Sequence, residues 1–348
     1  MIIGNTSTSW KFFSWFFALA LISPIVVMLV GSLNNAGDLF SHLWATVLPE
    51  YIQNTLVLGV LVALLSFCFG VPAAVLISQT NIVMAKQLRW LLMLPLAMPA
   101  YLVAYLYTDL FDYAGPVQRL LRAWFNWQSP NDYYFFDIRT LGGAAIVISL
   151  VMFPYVYMLT RTAFEQQDRN LLRASRLLGC SERQSFYKIA LPLARPAIAI
   201  SLTLVIMETL ADFATVQYFA VNTLTTAIYD TWLGYGDFGA ANALASVLML
   251  FILFIVVAEQ RARAGQRHQS SRPNANQERK KLSLTQQIFG SIFCWFLVLA
   301  GFLLPLTLLI IMAIDYADYP QLIALIATGK NSLEIAIYSA TIATLVAL

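Results

Sequence analysis

The sequence has little charge, little histidine and little cysteine. Of its 348 residues only 11% are Asp, Glu, Lys or Arg, against 59% hydrophobic, and the mean hydropathy is +0.70. Soluble domains carry about 25% charge, so a soluble globular fold is excluded and an all-α integral membrane protein is expected. The three cysteines, Cys68, Cys180 and Cys294, are too scattered for a disulfide framework or a metal-ligand spacing. The two histidines, His42 and His268, fall in separate loops and suggest no metal site. A phosphate-binding loop is also missing. In Ala327–Ser332, Ala324 stands where G-x4-G-K-[ST] requires glycine, and Asn331 where it requires Ser or Thr.

What the chain has instead is long apolar runs. A helical span needs about 20 mainly apolar residues. The stretches that qualify are Phe12–Gly31, Ile52–Ser78, Leu88–Leu110, Leu141–Thr160, Ala197–Ala220, Ala240–Ala258, Ile288–Ile314 and Ser332–Leu348. Phe12–Gly31 is too long for a secretory apolar region and reads as a retained span. With the N-terminus inside and the spans alternating, 17 of the 21 Lys and Arg fall on the inner side; Arg119, Arg122, Arg139 and Lys330 fall outside. That sorting predicts a cytoplasmic N-terminus.

Residues 261–287 open polar and basic, with Pro273 in their midst, and read as a cytoplasmic linker. They separate a first membrane block, residues 1–260, from the start of a second, 288–348. The second block echoes the first. Phe302–Ile314 resembles Ala20–Ser32, each with an early proline in a long apolar run. Lys330–Leu348 resembles Gln53–Gly70, opening on Asn331-Ser332 against Asn54-Thr55. Repeats of this kind build transporters around a shared pathway. The expectation is a six-span block followed by a truncated repeat lacking roughly four spans; chance likeness of two Leu-rich helices is the plainer alternative.

The segment 161–196 departs most from the apolar background. Leu171, Leu172, Ala174, Leu177 and Leu178 give a short helix an apolar face. Gly179 is placed to end that helix, because glycine takes the left-handed conformation cheaply. Ser181 and Gln184 form an S-x-x-Q capping box that starts a second short helix through Phe186 and Ile189. Pro192 is expected to stop that helix, and Pro196 to open the next span. The product is a rigid knob on the cytoplasmic face.

Here the chain resembles the membrane subunits of ABC importers, which carry an E-A-A-x3-G-x9-I-x-L-P loop between two spans. The corresponding residues are Arg173-Ala174-Ser175, Gly179 and Ile189-Ala190-Leu191-Pro192. The spacing agrees throughout; Arg173 replaces the Glu and Ser175 the second Ala. In that family the loop docks on the ATPase subunit and passes its closure to the spans. The rival reading is an amphipathic helix on anionic lipid, which requires neither the glycine nor the terminal I-x-L-P.

Inside the apolar stretches, Glu208 and Asp212 lie at i and i+4 on one face of the fifth span. A charge at mid-membrane costs about 2.5–3.5 kcal/mol, so the pair is expected to face protein or water. A cation-facing patch on the pathway and a hydrogen-bonded interhelical contact both fit. Pro95 and Pro99 can kink the third span. Tyr101, Tyr105 and Asp109 follow at helical spacing, either facing the outer mouth or, for the tyrosines, anchoring the span end. The acids Asp112, Asp230 and Asp237 fall on the outer side.

Two longer stretches, from Pro95 to Gln118 and from Glu208 to Ala245, resemble the fused two-block permeases of bacterial ferric iron importers. The resemblance implies a MetI-like, type I ABC importer transmembrane domain in the bacterial inner membrane. It implies a cytoplasmic ATPase homodimer as partner, which holds ATP and Mg, and a periplasmic binding protein that delivers Fe(III). This chain itself would bind no cofactor, hydrolyse no ATP and meet no nucleic acid, its other neighbour being the lipid bilayer. Thiamine, sulfate, polyamine and phosphonate permeases share the broader fold. A proton-coupled secondary transporter using Glu208 and Asp212 is the alternative of a different class.

Overall fold

The computed structural model describes residues 8–35, 37–263, 281–315 and 319–347, and all of its regular elements are helical. Lipid offers backbone groups no hydrogen-bond partners, so apolar runs of this length close their bonds internally as helices. The chain forms two compact units, Met1–Phe302 and Leu303–Leu348.

The first unit opens with α1 (Thr8–Asn35), α2 (Gly37–Thr46) and α3 (Leu48–Gln79). The third predicted span is broken. It comprises α4 (Ala85–Leu91), a 3-10 turn at Leu94–Ala97, and α5 (Ala100–Phe111), and Ala85–Ala97 meets the helical stretch Ala100–Phe125 at 88°. Pro95 lies in the 3-10 turn and Pro99 precedes α5 as its N-cap. Outside the spans α6 (Pro116–Phe125) follows, and α7 (Leu141–Glu165) crosses back. The basic loop holds α8 (Arg169–Leu177) and α9 (Glu182–Ser185). Beyond it come α10 (Leu191–Ala211), α11 (Ala214–Tyr218), α12 (Leu224–Tyr229), α13 (Phe238–Arg263) and α14 (Leu284–Val298). The second unit consists of α15 (Leu304–Asp315) and α16 (Tyr319–Ala347).

Among the described residues six helices are long and apolar enough to cross a membrane, or up to seven if the bent pair is one span. Helix α16 is not among them, although its second half was expected as a span. Lys330, Asn331 and Glu334 lie in its middle and lower its hydropathy. Most of the expected linker, residues 264–280, lies outside the described residues.

The core of the first unit is the pairing of α3 with α7. At Gly70 the two backbones come so close that an added Cβ would lie 2.7 Å from Val156 Cβ and 2.9 Å from the Phe153 carbonyl oxygen. Small residues at such crossings let helices gain dispersion contacts where lipid provides no hydrophobic drive. Nearby, Phe69 meets Phe153 edge-on with centroids 6.5 Å apart. A second cluster, Leu48, Leu210, Leu224 and Leu244, joins α3, α10, α12 and α13 at the far end. The second cluster holds the far end of α10, the helix that leaves the basic loop, through Leu210.

Candidate coupling loop and translocation face

The loop takes the glycine-braced form expected for it. Gly179 has φ +86°. Its N–H donates to the Arg176 carbonyl at 3.0 Å, and the Cys180 N–H to the Ser175 carbonyl at 3.0 Å. Those two bonds are a Schellman motif, which satisfies the last carbonyls of α8. Ser181 then caps α9: Gln184 N–H donates to Ser181 Oγ at 3.2 Å, and Ser181 N–H to Gln184 Oε1 at 3.0 Å.

Contacts that the sequence did not reveal, several of them to residues it did not single out, hold the two short helices together. The hydroxyls of Ser175 and Ser185, both buried, share a hydrogen bond of 2.7 Å. Ser175, one of the two departures from the family motif, is thus the cross-brace between α8 and α9. The Gln167 amide donates to the Ala190 carbonyl at 2.7 Å and closes the base of the loop. The rings of Phe164 and Phe186 lie 6.0 Å apart. Arg176 and Glu182 pair at 3.5 Å across the turn, an exposed contact of little energetic weight. These partners are distant in sequence or lie outside any periodic pattern, so spacing alone could not reveal them.

Two expectations for the loop require correction. Pro192 does not stop a separate helix, and Pro196 does not open a new one. The chain runs from α9 through a π turn, Phe186–Ala190, directly into α10, with Pro192 in the first turn and Pro196 inside. Pro192, which has no N–H to give, follows just after the π turn, where the hydrogen-bond register of the helix shifts. The wider turn also lets the Leu191 N–H reach the Phe186 carbonyl. Ile189, Leu191 and Pro192 are half-buried along this continuous helix, and Ala174 is exposed. At the tip of α8, Leu177 and Leu178 stand uncovered, 89% and 85% exposed. Arg173 falls within α8, but its side chain lies outside the described residues.

The structure also separates the two acids of the fifth span. Helix α10 ends at Ala211, so Glu208 sits exposed in its last turn and Asp212 leaves it as an extended C-cap with ψ 117°. Asp212 Oδ1 accepts the Thr215 N–H at 2.9 Å, and its carbonyl accepts the Thr225 hydroxyl at 3.0 Å. It ties α10, α11 and α12 together and does not share a helix face with Glu208.

Tyr101, Tyr105 and Asp109 all lie on α5. Tyr101 and Asp109 are exposed, while Tyr105 is half-buried against Tyr218, with ring centroids 5.8 Å apart. Of the three acids expected on the outer side, two make local contacts. Asp112 pairs with Arg139 at 3.2 Å, and Asp237 accepts the Ala240 N–H at 2.9 Å at the start of α13. An open cleft of about 490 Å³ beside them is lined by Asp112, Tyr113, Gln118, Tyr133 and Arg139, among others. Its wall is braced by Arg122, which lies 4.2 Å from the Tyr113 ring centroid and donates to Tyr133 Oη at 3.0 Å. Among the described residues no group of three or more His, Cys, Asp or Glu is placed to hold a metal ion.

Residues 66–264 match the family described as "Binding-protein-dependent transport system inner membrane component". The chain belongs to that family. This permease family region contains the broken span, the basic loop and α10 to α13. Among curated relatives, the ferric transport system permease protein FbpB of Actinobacillus pleuropneumoniae is 29% identical over 60% of this chain and 30% of that protein. The putative ferric permease FbpB 1 of Haemophilus influenzae is 28% identical over 69% of this chain and 38% of that protein. The molybdenum permease ModB of Escherichia coli is 28% identical over 62% of this chain and 94% of that protein. The chain thus spans about a third of the length of the ferric relatives it matches. A bacterial alginate ABC transporter shares the fold with a TM-score of 0.56, at 19% identity over 73% of this chain and 94% of the matched one. The fold is the all-helical, MetI-like permease fold.

Proposed function

We propose that this permease forms the inner-membrane pathway of a binding-protein-dependent ABC importer for ferric iron. The observation that carries the reading is the loop: a Schellman-closed, capped helix pair with two bare leucines at its tip. An exposed apolar tip on a rigid support is built for a partner's groove. The partner is an ATPase homodimer that binds ATP and Mg on the cytoplasmic side, so the N-terminus is cytoplasmic as well. A periplasmic binding protein delivers the substrate to the opposite face. The six-span block, 1–260, and the block that starts at 288 contribute two halves around one pathway.

Ferric iron is favoured because ferric permeases are among the relatives that cover most of this chain. The molybdenum permease gives a second reading, since it matches over nearly its full length. Exposed Glu208 near the outer end of α10 favours a cation over an oxyanion. Proteoliposomes holding the permease, its ATPase and its binding protein are expected to accumulate radiolabelled Fe(III) on ATP addition and to exclude molybdate. Molybdate accumulation without iron would reassign the substrate. Uptake driven by a proton gradient without ATP would replace the importer reading with a secondary transporter.

A further inference from the structure

A compact charged cluster joins α4 to the last turns of α7, just ahead of the loop. Glu165, the final residue of α7, pairs with Arg89 of α4 and lies 3.6 Å from Arg161 Nε one turn back. The main chain of α4 is held by the same turns. The Arg89 carbonyl accepts the Tyr157 hydroxyl at 3.0 Å and Arg161 Nη1 at 3.3 Å. Arg161 also donates to Tyr157 Oη at 3.2 Å, and its guanidinium carbon lies 5.3 Å from the Tyr157 ring centroid. The side chains of Arg161 and Glu165 are only 16% and 25% exposed, so the cluster is screened less than a surface pair. Arg89 Nε and Arg161 Nε are buried without a hydrogen bond, which leaves donors that a second arrangement can take up.

The mechanical setting gives this cluster its meaning. Glu165 is followed at once by the loop, whose base Gln167 closes. Helix α4 is the inner part of the broken span, and Pro95 and Pro99 lack the N–H groups a continuous helix needs. The outer part, α5, has its own tie: the Tyr107 hydroxyl donates to the Ala300 carbonyl at 2.5 Å. The two parts of one span are therefore held by separate polar contacts, one on each side of the Pro95–Pro99 break.

We propose that Arg89, Arg161 and Glu165 form a positioning latch that carries displacement of the loop into α4, so that the third span flexes at Pro95–Pro99. This rests on the coupling role of the loop. Small displacements become discrete motions where packed elements have two arrangements, and the cluster is the only charged connection among the described ion pairs between α4 and α7.

The test uses the complex with its ATPase in lipid nanodiscs, spin-labelled through cysteines at exposed Trp90 and Tyr101, one on each side of the break. A second labelled pair joins exposed Arg183 on α9 of the loop to Tyr101. In the otherwise unaltered protein, ATP with vanadate is expected to shift both distances. In Glu165→Gln and Arg89→Gln the loop still responds and ATP is still hydrolysed within about twofold. The shift across the break falls at least about fivefold, the lower end of typical coupling between sites. Arg89→Lys, which keeps the charge, restores most of it. Should Glu165→Gln fail to assemble, the two Arg89 variants decide. A full shift across the break in Arg89→Gln overturns the latch. A loop that ignores nucleotide in the unaltered protein overturns the coupling role, and the latch with it.

Discussion

At the scale of single residues, Gly179 carries the clearest link from sequence to structure. A Cβ there would meet nothing within 4 Å, so its requirement for glycine is conformational: only φ +86° stands against a side chain. Gly179→Ala is expected to cost about 1–2 kcal/mol and to raise hydrogen exchange of the loop amides about 5- to 30-fold, without affecting the α3–α7 core. Unchanged exchange would mean that the turn has another conformation. Glu208 and Asp212 teach the opposite lesson. A four-residue spacing places two side chains together only if the helix continues, and here an Asp able to accept a main-chain N–H sits where it ends. Their substitutions should therefore separate. Asp212→Ala is expected to lower stability by about 1 kcal/mol through the lost cap, seen as a lower thermal midpoint in detergent. Glu208→Gln should leave that midpoint unchanged and reduce uptake; equal effects on both properties would contradict the separate roles.

At the scale of elements, the spans were legible because membrane length and apolarity set them nearly alone. Their boundaries were not, because proline carries two meanings. Pro95 and Pro99 break the third span, whereas Pro192 and Pro196 are absorbed by a π turn and a continuing helix. The sequence shows the same residue in both settings; what differs is whether neighbouring turns can rearrange their hydrogen bonds. The cross-brace of Ser175 and Ser185 was hidden for a related reason, since it forms only once the glycine turn folds α8 beside α9. Tight packing offers a cleaner prediction. Gly70→Val fits neither rotamer nor space at the α3–α7 crossing and is expected to destabilise the protein by about 1–3 kcal/mol. A thermal midpoint equal to that of the unaltered protein would show that the crossing is looser than described.

For the molecule as a whole, apolar spans, a basic loop and a MetI-like fold converge on the inner-membrane component of a binding-protein-dependent transport system. The form of the loop was legible in its glycine and its I-x-L-P ending, but not that its leucines stand bare, because burial depends on packing that periodicity cannot report. Those leucines make the central claim testable. With Cys68→Ser and Cys180→Ser removing the accessible native thiols, a photoreactive crosslinker on Leu177→Cys in native membranes should capture one dominant protein. That protein is expected by mass spectrometry to be a nucleotide-binding ATPase subunit, and Leu178→Asp should weaken the capture at least tenfold. Crosslinking to lipid alone, with no ATPase adduct, would contradict the account.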